Sequence, residues 1–146
     1  MSIIIKTNEE ITAMRQTGKI VATILDILRR QLKPGMETRD LDISAARELK
    51  RRGAKSSFKG YRGFPANICV SINNEIVHGI PGKRALREGD IVSLDFGAIF
   101  MGFQSDAAIT VGIGKINPAA KQLIETTDSA LKAGINTAHP GARLGD

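Results

Sequence analysis

Two aspartates occupy positions that strands ordinarily fill with apolar or β-branched residues. Asp95 lies within Ile91-Val92-Ser93-Leu94-Asp95-Phe96, and Asp106 within Phe103-Gln104-Ser105-Asp106-Ala107-Ala108-Ile109. Both segments alternate as strands do. A hairpin symmetric about Phe100-Met101 sets Asp95 directly across from Asp106. Slipping the turn by one residue with an even loop keeps them on one face, and an odd loop separates them. Directly opposed residues have Cβ atoms about 4.5–5.5 Å apart, so two ionised carboxylates there repel. A shared proton or a divalent cation would compensate. The competing possibility is that each carboxylate caps a turn or faces water at a strand edge.

His78, in Ile76-Val77-His78-Gly79-Ile80-Pro81, stands at the end of a strand pattern and before a glycine. A single histidine in such a place is more often hydrogen-bonded structure than ligand or base. His139 precedes Pro140 in a loop and reads the same way.

The elements that must position these groups change period along the chain. Asn8 can cap a helix with Glu9 and Glu10 in its first turn. Ile11, Met14, Gly18, Val21, Leu25, Leu28 and Leu32 then share one face, and Pro34-Gly35 ends it. Thr38 can cap a second helix, with Leu41, Ala45 and Leu49 inward and Gly53 stopping it. Ile68, Val70 and Ile72 alternate as a strand, Asn73-Asn74 is a turn signal, and Glu75–Ile80 returns as a further strand. Arg84–Asp90 is loop-like. Ile91–Ile99 and Phe103–Val111 form the hairpin of the two aspartates. Pro118 opens a last helix with Leu123, Ile124, Thr127 and Leu131 on its inner side. Pro34-Gly35 with Asp40 is echoed by Pro140-Gly141 with Asp146, each after a helix. The chain thus reads as one α+β repeat, about 1–115, plus the first helix of a second copy, about 117–139.

Composition bounds the rest. The 146 residues are 42% hydrophobic and 4% aromatic, without tryptophan, which requires an aliphatic core. Cys69 is the single cysteine, so no intrachain disulfide forms. The apolar run Ile3-Ile4-Ile5 after Met1-Ser2 is too short for a secretory signal core, and Asp26 interrupts the longest other candidate for a membrane span. These features point to a cytoplasmic protein. The net charge of +6 is spread along the chain apart from Lys50, Arg51, Arg52 and Lys55, and reads first as a solvated surface.

Taken in order, several stretches resemble the type I methionine aminopeptidases of bacteria. They are Lys59-Gly60-Tyr61-Arg62-Gly63-Phe64-Pro65, Ile68-Cys69-Val70-Ser71-Ile72-Asn73, His78-Gly79-Ile80-Pro81, Glu88–Asp95 and Gly102–Asp106. The resemblance covers nearly the whole chain. It implies half of a pita-bread fold: an α+β antiparallel sheet with helices on one face, made of two similar halves in the complete family. It also implies a site of two divalent metal ions (Co, Mn, Fe or Zn) removing the N-terminal methionine of peptides. By resemblance Asp95 chelates one metal and Asp106 bridges both. His78 binds substrate and intermediate without ligating metal. Phe58, Tyr61, Phe64 and Cys69 line the methionine pocket, where apolar and sulfur groups suit a thioether.

The family's remaining ligands, a histidine and two glutamates, have no counterpart. After Asp106 the candidates are Glu125, Asp128, His139 and Asp146, none in a matching context. The chain therefore reads as truncated and as inactive or weakly active alone. Three partners follow as expectations: the missing C-terminal half, a second copy pairing as a homodimer, or ribosomal RNA docked on a basic, non-catalytic module.

Overall fold

The computed structural model describes residues 3–146, so Met1 and Ser2 of the opening segment lie outside the described residues. The chain runs α1 (Asn8–Gln31), α2 (Thr38–Arg51), β1 (Lys55–Ser56), a short 3-10 turn (Tyr61–Gly63), β2 (Ile68–Ile72), β3 (Ile91–Phe100), β4 (Phe103–Gly112) and α3 (Pro118–Thr137).

Thr7, one residue earlier than expected, caps α1. Its hydroxyl accepts from the Glu10 N–H at 3.2 Å, and the Glu10 carboxylate accepts from the Thr7 N–H at 2.8 Å, the reciprocal capping box. The buried face is Ala13, Thr17, Val21, Ile24, Leu25 and Leu28. Ile11 and Met14 were expected on that face but are 38% exposed. The small Ala13 and Thr17 replace them because the helix here closes on the tip of the sheet: the Thr17 hydroxyl donates to Phe100 O at 3.3 Å as well as to Ala13 O at 2.9 Å. Glu37 rather than Thr38 caps α2. The Thr38 hydroxyl instead exchanges hydrogen bonds with Gly82, donating at 3.1 Å and accepting at 2.8 Å.

β3 is the centre of the sheet. β4 pairs antiparallel along its whole length, and β2 and β1 pair with successive parts of it. A strand has two edges, so β1 and β2 share the one that β4 leaves open. Val92, Leu94, Phe96 and Ala98 of β3 face the helices, joining Ile68, Val70 and Ile72 of β2 with Val21, Ile24, Leu28, Leu41 and Ala45 in one core. That core is aliphatic except for Phe96, as the composition required.

The strand expected at Glu75–Ile80 does not form. His78 has a φ of 60°, outside the β region, and the segment instead touches β2 through Gly79. The hairpin turn also differs. Met101 and Gly102, with φ of 51° and 81°, make a two-residue connection, matching the turns whose twist suits a hairpin. Phe100 therefore faces Phe103, Asp95 faces Ala108 and Asp106 faces Gly97. The two aspartates are diagonal neighbours on one face, not directly opposed.

Asn117 caps α3, its side chain accepting from the Ala120 N–H at 2.8 Å, and Pro118 begins the helix. The expected inner side is not buried: Leu123 and Leu131 are both 59% exposed, and only Ala120 and Ile124 are partly covered. Among the described residues nothing pairs with the second edge of β4. Among the described residues no helix is long and apolar enough to cross a membrane.

α2 carries a buried carboxylate. Glu48 is ion-paired with Arg52 and, at 3.4 and 3.7 Å, with Arg51 and Arg47. The hydrogen bond from Arg52 holds its carboxyl below the usual glutamate range. A depressed carboxylate stabilises the fold above its ordinary pKa, and the contribution is lost as pH falls through the folded-state value. Glu48→Gln is expected to lower Tm by several degrees at pH 7. That difference should shrink in thermal melts taken progressively below the ordinary glutamate range.

Candidate functional site

The face of the sheet turned away from the helices carries the chemistry. Alternation along β3 sends Ser93, Asp95 and Gly97 there while Val92, Leu94 and Phe96 go to the core. On β2, Cys69 stands opposite Asp95. On β4, Asp106 stands opposite Gly97. Gly97 is what makes room. A Cβ there would lie 2.9 Å from Asp106 Oδ2, 2.9 Å from Phe58 Cε1 and 2.1 Å from Ser57 Oγ. A glycine inside a strand marks such a close approach. The bare backbone lets the Asp106 carboxylate lie over β3 toward Asp95.

The aromatic wall comes from the β1–β2 connection. The Ser56 hydroxyl accepts from the N–H groups of Phe58 and Lys59, each at 3.1 Å, and turns the chain over the sheet. Arg62, at φ 48°, bends the 3-10 turn back, and the Gly60 N–H closes the loop on Phe64 O at 2.8 Å. Phe58 and Phe64 meet edge to face at 6.3 Å. The far end is tethered to α2: Asp42 Oδ1 accepts from the Asn67 N–H at 2.6 Å and from Asn67 Nδ2 at 3.0 Å.

These parts enclose a cavity of about 520 Å³, lined by Phe58, Tyr61, Phe64, Cys69, His78, Asp95 and Asp106 together with Arg62, Gly63, Pro65 and Ile80. Every residue that the resemblance assigned to the site lines it, while His139, Glu125, Asp128 and Asp146 do not. Ser57 and Gly97, which crowd against the Phe58 and Asp106 side chains behind the lining, were not picked out. The sequence signal for Gly97 was a glycine interrupting the Asp95 strand.

The electrostatics follow from that crowding. Burial raises the Asp95 carboxyl above the usual aspartate range. The neighbouring charge of Asp106 adds to this, His78 partly offsets it, and a hydrogen bond with Asp106 adds further. Burial, then Asp95 and Asp106, push the Cys69 thiol up to about 11. Cys69 is thus a protonated, apolar wall group at neutral pH rather than a thiolate ligand.

A carboxylate raised in the folded state favours folding below the ordinary aspartate range and loses that advantage as pH rises through its folded-state pKa. Asp95→Asn is therefore expected to raise Tm at pH 7 without added metal. Relief of a like-charge cross-strand pair is worth up to about 1 kcal/mol, or about 2–4 °C. The gain should fade in melts taken at lower pH, where wild-type Asp95 takes up its proton. A metal-free Tm that drops at pH 7 would contradict this electrostatic picture.

Two carboxylates over a glycine-made recess suit a divalent metal ion by donor chemistry. They form only part of a shell. Among the described residues no group of three or more His, Cys, Asp or Glu side chains converges as a metal site. Residues 12–146 match the sequence profile of metallopeptidase family M24. The chain belongs to metallopeptidase family M24. Membership in M24 accounts for an acidic pair beside an apolar pocket, since this is a family of metal-dependent peptidases.

Within M24, a methionine aminopeptidase of Clostridium acetobutylicum is 52% identical over 145 residues, covering 99% of this chain and 58% of that protein. Methionine aminopeptidase 1 of Bacillus subtilis is 48% identical over 142 residues, covering 97% of this chain and 57% of that protein. The crystal structure of the Thermotoga maritima methionine aminopeptidase superposes with a TM-score of 0.96 at 40% identity, covering 99% of this chain and 59% of that one. The prolidase of Pyrococcus furiosus, at 23% identity and a TM-score of 0.77, shares the fold. The M24 chain thus has the α+β pita-bread architecture and spans little more than half the length of these relatives.

Proposed function

We propose that this M24 chain supplies the first-half ligands and the side-chain pocket of a dimetal aminopeptidase that removes methionine from peptide N-termini. The observation that carries the reading is one cavity holding both aspartates and an apolar, sulfur-bearing wall. Its volume, about 520 Å³, falls within the range of small-ligand sites. Asp95 would hold one cation and Asp106 would bridge it to the second. Divalent cations of the Co, Mn, Fe or Zn kind supply an acidified water and a polarised scissile carbonyl when bound.

Other residues of the chain would receive the substrate. Phe58, Tyr61, Phe64 and Cys69 desolvate the thioether side chain. His78, beside Asp95, donates to the substrate at the bond to be cut. On this reading residues 1–115 form the first repeat, and α3, within 117–139, opens the second. The free edge of β4 and the uncovered face of α3 are where the rest of the fold would join. A second copy of the chain is the alternative occupant, bringing two further aspartates. Docking on ribosomal RNA is less favoured, because Arg51 and Arg52 of the basic cluster, and Arg47 one turn before them, are engaged by Glu48.

The test is Co²⁺ or Mn²⁺ binding by calorimetry, run beside hydrolysis of a Met-Ala-Ser peptide and the mass of the chain in solution. A cation affinity that falls at least tenfold in Asp106→Ala supports the reading, as does turnover that disappears in that variant. Cation binding or turnover indifferent to Asp106→Ala overturns it.

A further inference from the structure

His78 holds a backbone conformation that non-glycine residues seldom adopt, with a φ of 60°. Such a conformation persists only where the surroundings enforce it. The enforcement is visible in the next residue. Gly79 lies flat on β2: a Cβ on it would fall 2.1 Å from Val70 O, 2.7 Å from the Val70 carbonyl carbon and 3.0 Å from Ser71 Cα. Its carbonyl accepts from the Val70 N–H at 2.9 Å. Its own N–H donates to Ser71 Oγ at 3.1 Å. Ser71 is 4% exposed, two residues beyond Cys69 on the same strand and the same face, and it stands opposite Ser93 as Cys69 stands opposite Asp95.

We propose that the Ser71 hydroxyl and the bare backbone of Gly79 form a clamp that locks His78 in its left-handed conformation and so directs its imidazole into the cavity. Ser71 and Gly79 are then positioning residues, acting on the site through His78. The geometry favours this over a plain strand serine for two reasons. The Ser71 hydroxyl bonds the strap that carries His78, not a sheet neighbour. The neighbouring Ser93 hydroxyl, on the same face, pairs across the sheet with the Thr110 hydroxyl at 2.9 Å and so furnishes an internal control. Glu75 is anchored separately, its N–H donating to Ile72 O at 3.2 Å and its carboxylate accepting from the Ile72 N–H at 2.8 Å. Beyond it, without the clamp, residues 76–80 would be tied to β2 by the Val70–Gly79 bond alone among the hydrogen bonds of the described residues, and the left-handed state would have no steric partner.

The consequence for catalysis rests on the proposed peptidase reading, but the clamp can be tested without metal or peptide. In the ¹⁵N-labelled chain at fixed pH, Ser71→Ala is expected to reduce protection of the Gly79 amide from hydrogen exchange about fivefold, the scale of one net hydrogen bond. The His78 imidazole resonances should move and broaden at the same time. Ser71→Thr, which keeps the hydroxyl, should restore both, and Ser93→Ala should disturb neither. Gly79→Ala should displace the His78 resonances further, because its Cβ meets backbone rather than a flexible side chain. Should Ser71→Ala fail to fold, Ser71→Cys, with its weaker acceptor, carries the same reading. Unmoved His78 resonances alongside a deprotected Gly79 amide would overturn the clamp, as would an equal response to Ser93→Ala. If the clamp holds while Met-Ala-Ser binding is indifferent to Ser71→Ala, the peptidase role of His78 fails and the clamp stands.

Discussion

Gly97→Ala is expected to weaken both the fold and the hold on a cation, and a second substitution at Ser57 should recover only the first. The new Cβ meets Ser57 Oγ at 2.1 Å, Phe58 Cε1 at 2.9 Å and Asp106 Oδ2 at 2.9 Å, all closer than carbon tolerates without movement. Overpacking of this kind costs about 1–3 kcal/mol, or about 2–12 °C in Tm. The Ser57 and Asp106 contacts are side-chain ends and can rotate away. For Asp106 that rotation is the damage, since its carboxylate leaves the recess facing Asp95. In the double variant Ser57→Ala/Gly97→Ala the closest clash is gone and Tm should climb most of the way back. The Asp106 contact persists, so Co²⁺ affinity measured by calorimetry should stay at least tenfold below wild type. Recovery of both together would mean that Gly97 serves packing and not the acidic pair.

Much of that geometry could be anticipated from residue order. The alternation around Asp95 and Asp106 placed both carboxylates on one face for any even hairpin loop, which the two-residue Met101-Gly102 connection is, and the helix stripes Val21-Leu25-Leu28 and Leu41-Ala45-Leu49 pointed at the core that fixes that face. The exact register was out of reach because it depends on Met101 accepting a positive φ, a role that turn statistics assign to Asn, Asp or Gly. The Glu75–Ile80 segment misled for a related reason. Its apolar pattern is that of a strand, yet Ile76 is 90% exposed, and what ties the segment down is contact with β2 at Gly79, an interaction that periodicity does not encode. The pocket wall depends on the Asp42–Asn67 tether across 25 positions and on the left-handed Arg62, neither of which has a local signature. The exposure of α3 has a different origin. Its stripe of Leu123 and Leu131 is genuine, but burial needs a surface to meet, and the described residues offer only slight cover.

Phe96→Ala should produce the largest loss of stability of any single change considered. Phe96 is fully buried and is among the largest side chains in the core, in a chain whose interior is otherwise aliphatic. Truncating such a ring removes its transfer energy and leaves a cavity that β-sheet backbone cannot collapse, about 3–5 kcal/mol in comparable cores. Against a total stability of about 5–15 kcal/mol for domains of this kind, that is roughly a fifth or more of the whole. The residue is also the covalent neighbour of Asp95 and faces the opposite side of the same strand, so slack behind the strand becomes disorder in front of it. Phe96→Leu, which fills most of the volume, should cost less than half as much in chemical denaturation. A metal titration on the two variants separates the effects. Loss of Co²⁺ affinity in Phe96→Ala under conditions where the protein is still folded would show that the core side of β3 holds the acidic face in register. An affinity equal to wild type would confine the role of Phe96 to stability.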